Sequence, residues 1–367
     1  MFLSFIQELL SPSKERIIPL LHKAEIEKIK KLILNKSHTP LAILPNEKLI
    51  IEEINSETKR RNTNNITRTK AYLDFYQRYP KIHWSFLAHM VSRNGGYRMT
   101  DLKGEILPSL LEAEEIQNFF LFLEKANAFI FQDAYPQLLL YKKSVEKKKP
   151  LFHLLPAFGV SNAMSVFWER FWRNGNKEEM TLALIINEQS MLQTRLIAKI
   201  KDDYFYEKML FFLQDRLELT TVFFPYKKKN KSRSPYSLAG TGISYFENPQ
   251  NRIDIGKKLY CILFMKDLVY DSSFDFALKN PHTASRSDYW PQCYSSKNTG
   301  TQKVYSPELM TAWNDMSHTF SNDDWVRDET TQFIDALETI SMPYQFDVTT
   351  KAKLVVNLSS EYKALST

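Results

Sequence analysis

The sequence predicts a mainly α protein, a multi-helix globular bundle with long polar-aromatic loops and at most a few short strands. Three observations predict it. Only 9 of the 367 residues are glycine, too few for a turn-rich sheet protein. Apolar residues make up 43% of the chain and aromatics 13%, so a packed core is expected rather than disorder. Apolar side chains also recur at helical spacing, as in Ile116, Phe119, Phe120, Leu123, Ile130 and Phe131.

Taken in order, residues 1–46 read as an N-terminal helical extension, two short helices broken by Pro12, Pro19, Pro40 and Pro45. Asn46 opens a helix to about Thr58, followed by the basic cluster Lys59–Arg60–Arg61. Asn65 is read as the N-cap of a helix through Arg78, which Pro80 closes. The next helix runs from Ile82 to Asn94, with Gly95 as its left-handed end and Thr100 as a further cap. Ala113–Ala134 is amphipathic, and Pro136 is expected to interrupt it. Ser161 caps a helix through Trp172 that stops near Gly175.

Glu178–Lys199 is apolar nearly all round in its first half and reads as a central, buried helix. A helix over Asp203–Leu217 and a short strand over Thr220–Tyr226 follow. The basic, then Ser-, Pro- and Gly-rich stretch Lys227–Gly242 is the candidate boundary between a helical core domain, 47–225, and a C-terminal helical part, 243–367, packed on it. Asn248–Pro249 opens a helix to about Val269. A long loop spans Pro281–Tyr305, Ser306–Pro307–Glu308 starts another helix, and the tail from Tyr344 to Leu358 alternates weakly, as a strand or two would.

Composition excludes several functions. Cys261 and Cys293 are the two cysteines, too few for a disulfide framework, so a reducing cytoplasm is the expected compartment. No apolar run approaches the roughly 18–20 residues that cross a bilayer. The opening MFLSFIQELL lacks the basic start of a secretion signal. Its stripe of Phe2, Phe5, Ile6, Leu9 and Leu10 is expected to dock on the core, because the polar side carries no Lys or Arg for a membrane surface. No His-Glu-x-x-His, paired Cys-x-x-Cys or calcium loop occurs, so neither a metal nor a cofactor is expected. Gly240-Thr-Gly242 lacks the third glycine and the lysine of a phosphate cradle.

Several polar residues stand where packing alone would place leucine. His83 falls inside the apolar arc of its helix, as a buried neutral histidine or as a general base. His89 and Arg93 share a face and, with Arg68, make a candidate anion site, although Arg93 equally suits a helix C-terminus and His89 a solvated surface. Asn127 and Asn187 interrupt apolar stripes, as polar clasps between helices or as pocket linings. Glu188 follows LALII directly, so it is either paired with a cation or raised in pKa as a general acid would be. In the loop, Arg286 and Asp288 are candidates for ligand contact or for an ion pair with each other. Ser285, His282 and Asp288 carry the letters of a hydrolase triad without the Gly-x-Ser-x-Gly elbow.

The stretch NNITRTKAYLDFYQRYPKIHWSFLAHMVSRNGGYRMTDLKG, residues 64–104, resembles the leading block of the YppC-like family of bacterial proteins, a domain of unknown function. NAFIFQDAYPQLLLY, LALIINEQ and HTASRSDYWP resemble its later blocks, so the likeness covers most of the chain from about residue 47. It implies a soluble bacterial protein and supplies no reaction, cofactor or catalytic residue. The leading expectation is therefore a ligand- or partner-binding protein of unknown specificity, with a small anionic ligand or a protein partner as the candidates. The alternative is a hydrolytic enzyme using Glu188 with His83 or His89 and Arg286 as an anion clamp. Nucleic acid, through the basic runs Lys59–Arg61, Lys142–Lys149 and Lys227–Arg233, is not the expected partner, because the formal charge of +7 is modest and no recognition motif accompanies it.

Overall fold

The computed structural model describes residues 15–36, 43–197, 221–228, 236–242, 248–298, 303–320 and 334–366. Helices α1 (Lys23–Lys36), α2 (Pro45–Arg61), α3 (Asn65–Arg78), α4 (His83–Asp101), α5 (Ala113–Lys147), α6 (Asn162–Asn174) and α7 (Lys177–Leu192) make up its first part. Helices α8 (Pro249–Phe264), α9 (Asp267–Lys279) and α10 (Thr349–Ser366) follow, so the protein is mainly helical as predicted. Strands are few and short. β1 (Glu15–Pro19) pairs antiparallel with β4 (Thr339–Pro343), and β2 (Val222–Tyr226) with β3 (Ser237–Thr241). One large apolar cluster draws on every described segment, from Ile26 in α1 through Trp84, Trp168 and Ile185 to Tyr260, Trp290 and Val356, and two smaller clusters accompany it.

Local signals placed several elements correctly. Ser161 accepts a hydrogen bond from the Ala163 amide at 3.2 Å, and Gly175 closes α6 in the left-handed conformation at φ +66°. α7 buries residues on all its faces, from Glu179 to Leu192, as its composition requires. The strand over 222–226 also forms.

Elsewhere tertiary packing overrode the local signal. Pro136 lies inside α5 instead of ending it. A mid-helix proline costs about 3 kcal/mol, but Phe131, Leu138, Leu139 and Leu140 are buried on either side of it, and each buried side chain of this size contributes about 1.5–3 kcal/mol. α4 does not stop at Gly95 but runs on to Asp101. Gly96 is there for space. A methyl group on it would meet the Asn65 side chain and come within 2.6 Å of His282 Nε2. Gly96→Ala is therefore expected to destabilise the protein by about 1–3 kcal/mol, seen as a lower urea midpoint, although alanine is the better helix former.

Other expectations are corrected. Asn64, not Asn65, caps α3, accepting from the Thr67 amide at 3.0 Å. Thr100 sits within α4 and donates to Ala284 O at 2.6 Å. The described residues of the N-terminal part form a strand and one helix, β1 pairing with β4. The helix expected to reach Val269 breaks at Met265, and α9 follows it. Only one turn, Leu309–Ala312, follows Pro307, and the tail is the helix α10 preceded by β4. β3 lies within the stretch Lys227–Gly242. The segment 1–14, the helix expected over 203–217 and the basic residues 229–233 lie outside the described residues.

Candidate functional site

The polar arc of α4 does not face water. Ser85, His89, Ser92 and Arg93 are all buried against α3 and the 281–305 loop. Arg93, 1% exposed, donates to Asn280 O at 2.8 Å and pairs with Asp288 Oδ2 at 3.3 Å, so it is not a helix-end cation. Asp288 also accepts from the Thr283 amide at 3.0 Å and the Thr283 hydroxyl at 2.6 Å. Burial pushes its carboxyl up, but His282, Arg93 and Thr283 outweigh that and hold it below its ordinary value. His282 Nε2 donates to Asn65 Oδ1 at 2.8 Å, and Asn65 in turn donates to Ser92 O at 2.9 Å. Burial takes the His282 pKa down to about 4. Apart from His89 Nε2, which is buried without a partner, these are satisfied buried groups that tie the loop to α3 and α4.

The other loop candidate sits elsewhere. Arg286 grips Asp101 with two bonds, 2.8 and 2.6 Å, and donates to the Tyr289 hydroxyl at 2.8 Å. The expected Arg286–Asp288 pair is thus replaced by Arg286–Asp101 and Arg93–Asp288. Ser285 donates its hydroxyl proton to Ser306 O at 2.6 Å, away from His282, so the triad letters do not assemble. Both candidate histidines are occupied as well. His83 stacks on Phe264 with ring centres 4.1 Å apart and meets the Tyr260 hydroxyl at 3.1 Å, and burial lowers its pKa to about 4. His89, expected at a solvated surface, donates from Nδ1 to Thr69 O at 2.8 Å, and burial and Arg93 lower its pKa well below the ordinary value.

Two carboxylates behave differently. Asp133 is bound by Asn187 Nδ2 at 2.5 Å and Gln137 Nε2 at 3.0 Å, and the Trp168 indole donates to Gln137 at 2.9 Å. Asn187 therefore clasps α7 to α5. Asp133 Oδ1 and Asn187 Oδ1 are buried without partners, and burial raises the Asp133 pKa to about 7. Acceptors crowded together without donors in a buried site disfavour the charged form. Glu188 lies on the next residue of α7. Burial and the Asp133 charge push it up to about 7 as well, against the Trp84 and Gln189 donors and the Arg252 charge. Of the two expectations for Glu188, a cationic partner or a raised pKa, the geometry carries the second.

Glu188 lines a cavity of about 200 Å³ between α3, α4, α5, α7 and α8. Its walls are mostly apolar: Leu87, Ala88 and Val91 from α4, Leu123, Ala126 and Ile130 from α5, Ile185 from α7, and Ile255 and Leu259 from α8. Arg68, Tyr72, Arg98, Asn127 and Arg252 supply polar groups. Arg68, 1% exposed, is neutralised by Glu124 at 2.5 Å. Arg252 is held by Gln189 and Gln193 at 2.9 and 2.8 Å. Asn127 donates to Leu123 O at 2.8 Å. The Tyr72 hydroxyl and Arg98 NH2 are buried with no hydrogen-bond partner.

Three of the sequence candidates, Arg68, Asn127 and Glu188, thus share one wall set, whereas Arg286 lines a separate cavity of about 90 Å³ with Asp101 and Tyr289. Tyr72, Trp84, Arg98 and Arg252 were not singled out. Ending α4 at Gly95 hid Arg98, and the aromatic pair looked like ordinary core. Among the described residues, no group of three or more His, Cys, Asp and Glu is placed to hold a metal. No described helix is long and apolar enough to cross a membrane. The basic runs are paired only in part, through Arg60–Glu57 at 2.7 Å, Lys143–Glu53 at 2.6 Å and Lys227–Asp275 at 3.1 Å, while Lys147, Lys148 and Lys149 lie exposed.

Residues 60–346 match the family DUF2515, described as a protein of unknown function. The chain is 41% identical over 280 residues to the uncharacterized protein YppC of Bacillus subtilis (strain 168), covering 75% of this chain and 83% of that protein. No solved structure matches.

Proposed function

The chain belongs to the DUF2515 family of proteins of unknown function, and from its own geometry we propose that it binds a small, predominantly apolar molecule in the cavity beside Glu188. One observation carries this reading. A cavity of about 200 Å³ with mostly hydrocarbon walls is lined by Tyr72 and Arg98, whose buried hydroxyl and NH2 have no partner among the described residues. Buried polar groups without partners cost about 1–3 kcal/mol each, and convergent polar groups in an apolar pocket are the usual makings of a ligand site. Binding is favoured over hydrolysis because His83, His89 and Arg286 are each engaged elsewhere, leaving Glu188 without the base and anion clamp that a hydrolytic grouping needs.

The test uses neutral dodecanol as a probe of the apolar walls. It is expected to raise the melting temperature of the wild type and to leave that of Ala126→Phe unmoved, since the added ring fills the cavity. Equal shifts in both proteins, or none in the wild type, would remove the reading.

A further inference from the structure

The shape and charge of the cavity define its ligand further, resting on the proposed binding function. Trp84 and Arg98 both line it, and they stand fourteen residues apart on α4, about 21 Å along a helix axis. A lining that extends so far along one helix makes an elongated site. It suits an extended chain better than a compact ring system. The wall along it is Leu87, Ala88 and Val91.

Arg98 is the unusual group at one end. Its nearest carboxylate in sequence is Asp101, one turn further on, but Arg286 holds both oxygens of that side chain, at 2.8 and 2.6 Å. Among the described residues no acid pairs with Arg98, and its NH2 lacks any acceptor. Arg286 repels it more strongly than Asp101, at a distance, attracts it. A guanidinium left without a counter-ion inside a protein is costly, and a planar oxyanion satisfies its paired donors. Arg68 does not compete for that oxyanion, being neutralised by Glu124. Towards the Trp84 end, the Tyr72 hydroxyl and the Glu188 carboxyl line the same cavity and offer weaker polar contacts.

We propose that the cavity takes an unbranched aliphatic chain with one terminal oxyanion, a carboxylate or phosphate, seated on Arg98, while the chain runs along α4 towards Trp84. The two sources of the oxyanion are separated by the probes dodecanoate and dodecyl phosphate, each titrated calorimetrically into the full-length protein beside dodecanol and dodecylamine. At least one of the anions is expected to bind roughly tenfold to a hundredfold more tightly than dodecanol, the usual worth of a charged hydrogen bond, and dodecylamine more weakly still. Arg98→Met is expected to remove that advantage and leave dodecanol binding unchanged, with Arg98→Lys intermediate because it keeps the charge but loses the fork.

The comparison of the four probes on the wild type stands even if a variant does not fold. If dodecanol binds as tightly as both anions, or Arg98→Met keeps the anion preference, the oxyanion assignment is wrong although the cavity still binds. If none of the four binds, the binding function itself is wrong.

Discussion

Arg68→Met is expected to destabilise the protein by about 3–5 kcal/mol, the cost of stranding one partner of a buried ion pair. Arg68 and Glu124 are 1% and 2% exposed. Arg68 donates to Glu124 Oε2 at 2.5 Å and to Asn62 Oδ1 at 3.0 Å, while Asn62 donates to Ala128 O at 3.0 Å and Glu124 Oε1 meets His318 Nε2 at 3.1 Å. The network thus joins the α2–α3 corner to α5 and to the segment around His318. Methionine fills the space of the arginine stem but leaves a carboxylate in the core. Arg68→Met combined with Glu124→Leu removes both charges and should recover most of the loss, because an apolar pair of similar volume is often no worse than a buried ion pair. Urea denaturation of the two variants checks this. If the double variant is as unstable as the single, the loss comes from packing and the electrostatic account fails.

The second large effect is at Glu188. Burial and Asp133 raise its pKa from 4.5 to about 7 in the folded protein. The folded state therefore holds a proton between about pH 4.5 and 7 that the unfolded chain has released, so this group's contribution is present at acid pH and falls as pH rises through about 7. At about 1.36 kcal/mol per pK unit the loss is about 3 kcal/mol. Glu188→Gln removes it. The variant should match the wild type near pH 4.5 and exceed it by about 3 kcal/mol at pH 8. The lowered pKa values of His83, His89 and His282 push stability the other way, upward between about pH 4 and 6.5. Those contributions are common to both proteins and cancel in the difference. A difference that does not change with pH would mean that Glu188 is ionised throughout.

How much of this was legible in the sequence depended on how local the deciding interaction was. Ser161 and Gly175 bound α6 through contacts within a turn or two, and both were readable. Glu188 was conspicuous because a carboxylate directly after LALII has few ordinary explanations. The raised pKa follows from burial plus Asp133, a neighbour on another helix that had not been singled out. Gly95 and Pro136 misled for the same reason. Each reads locally as a helix terminator, and each is outvoted by contacts distant in sequence, with Asn127 packed against Gly95 and core burial spanning Pro136. Arg98 was lost through the first of these errors. Its unpaired state depends on Arg286, 185 residues from Asp101, taking the carboxylate. Pairing at that separation leaves no periodic trace in a single sequence.

The most direct measurement is a crystal structure of the protein grown with ω-bromododecanoate, whose bromine marks the chain end by anomalous scattering. The account predicts a carboxylate within hydrogen-bonding distance of Arg98, with the bromine in the same cavity towards Trp84. Bromine found only on the protein surface, with the space beside Glu188 unfilled, would contradict it.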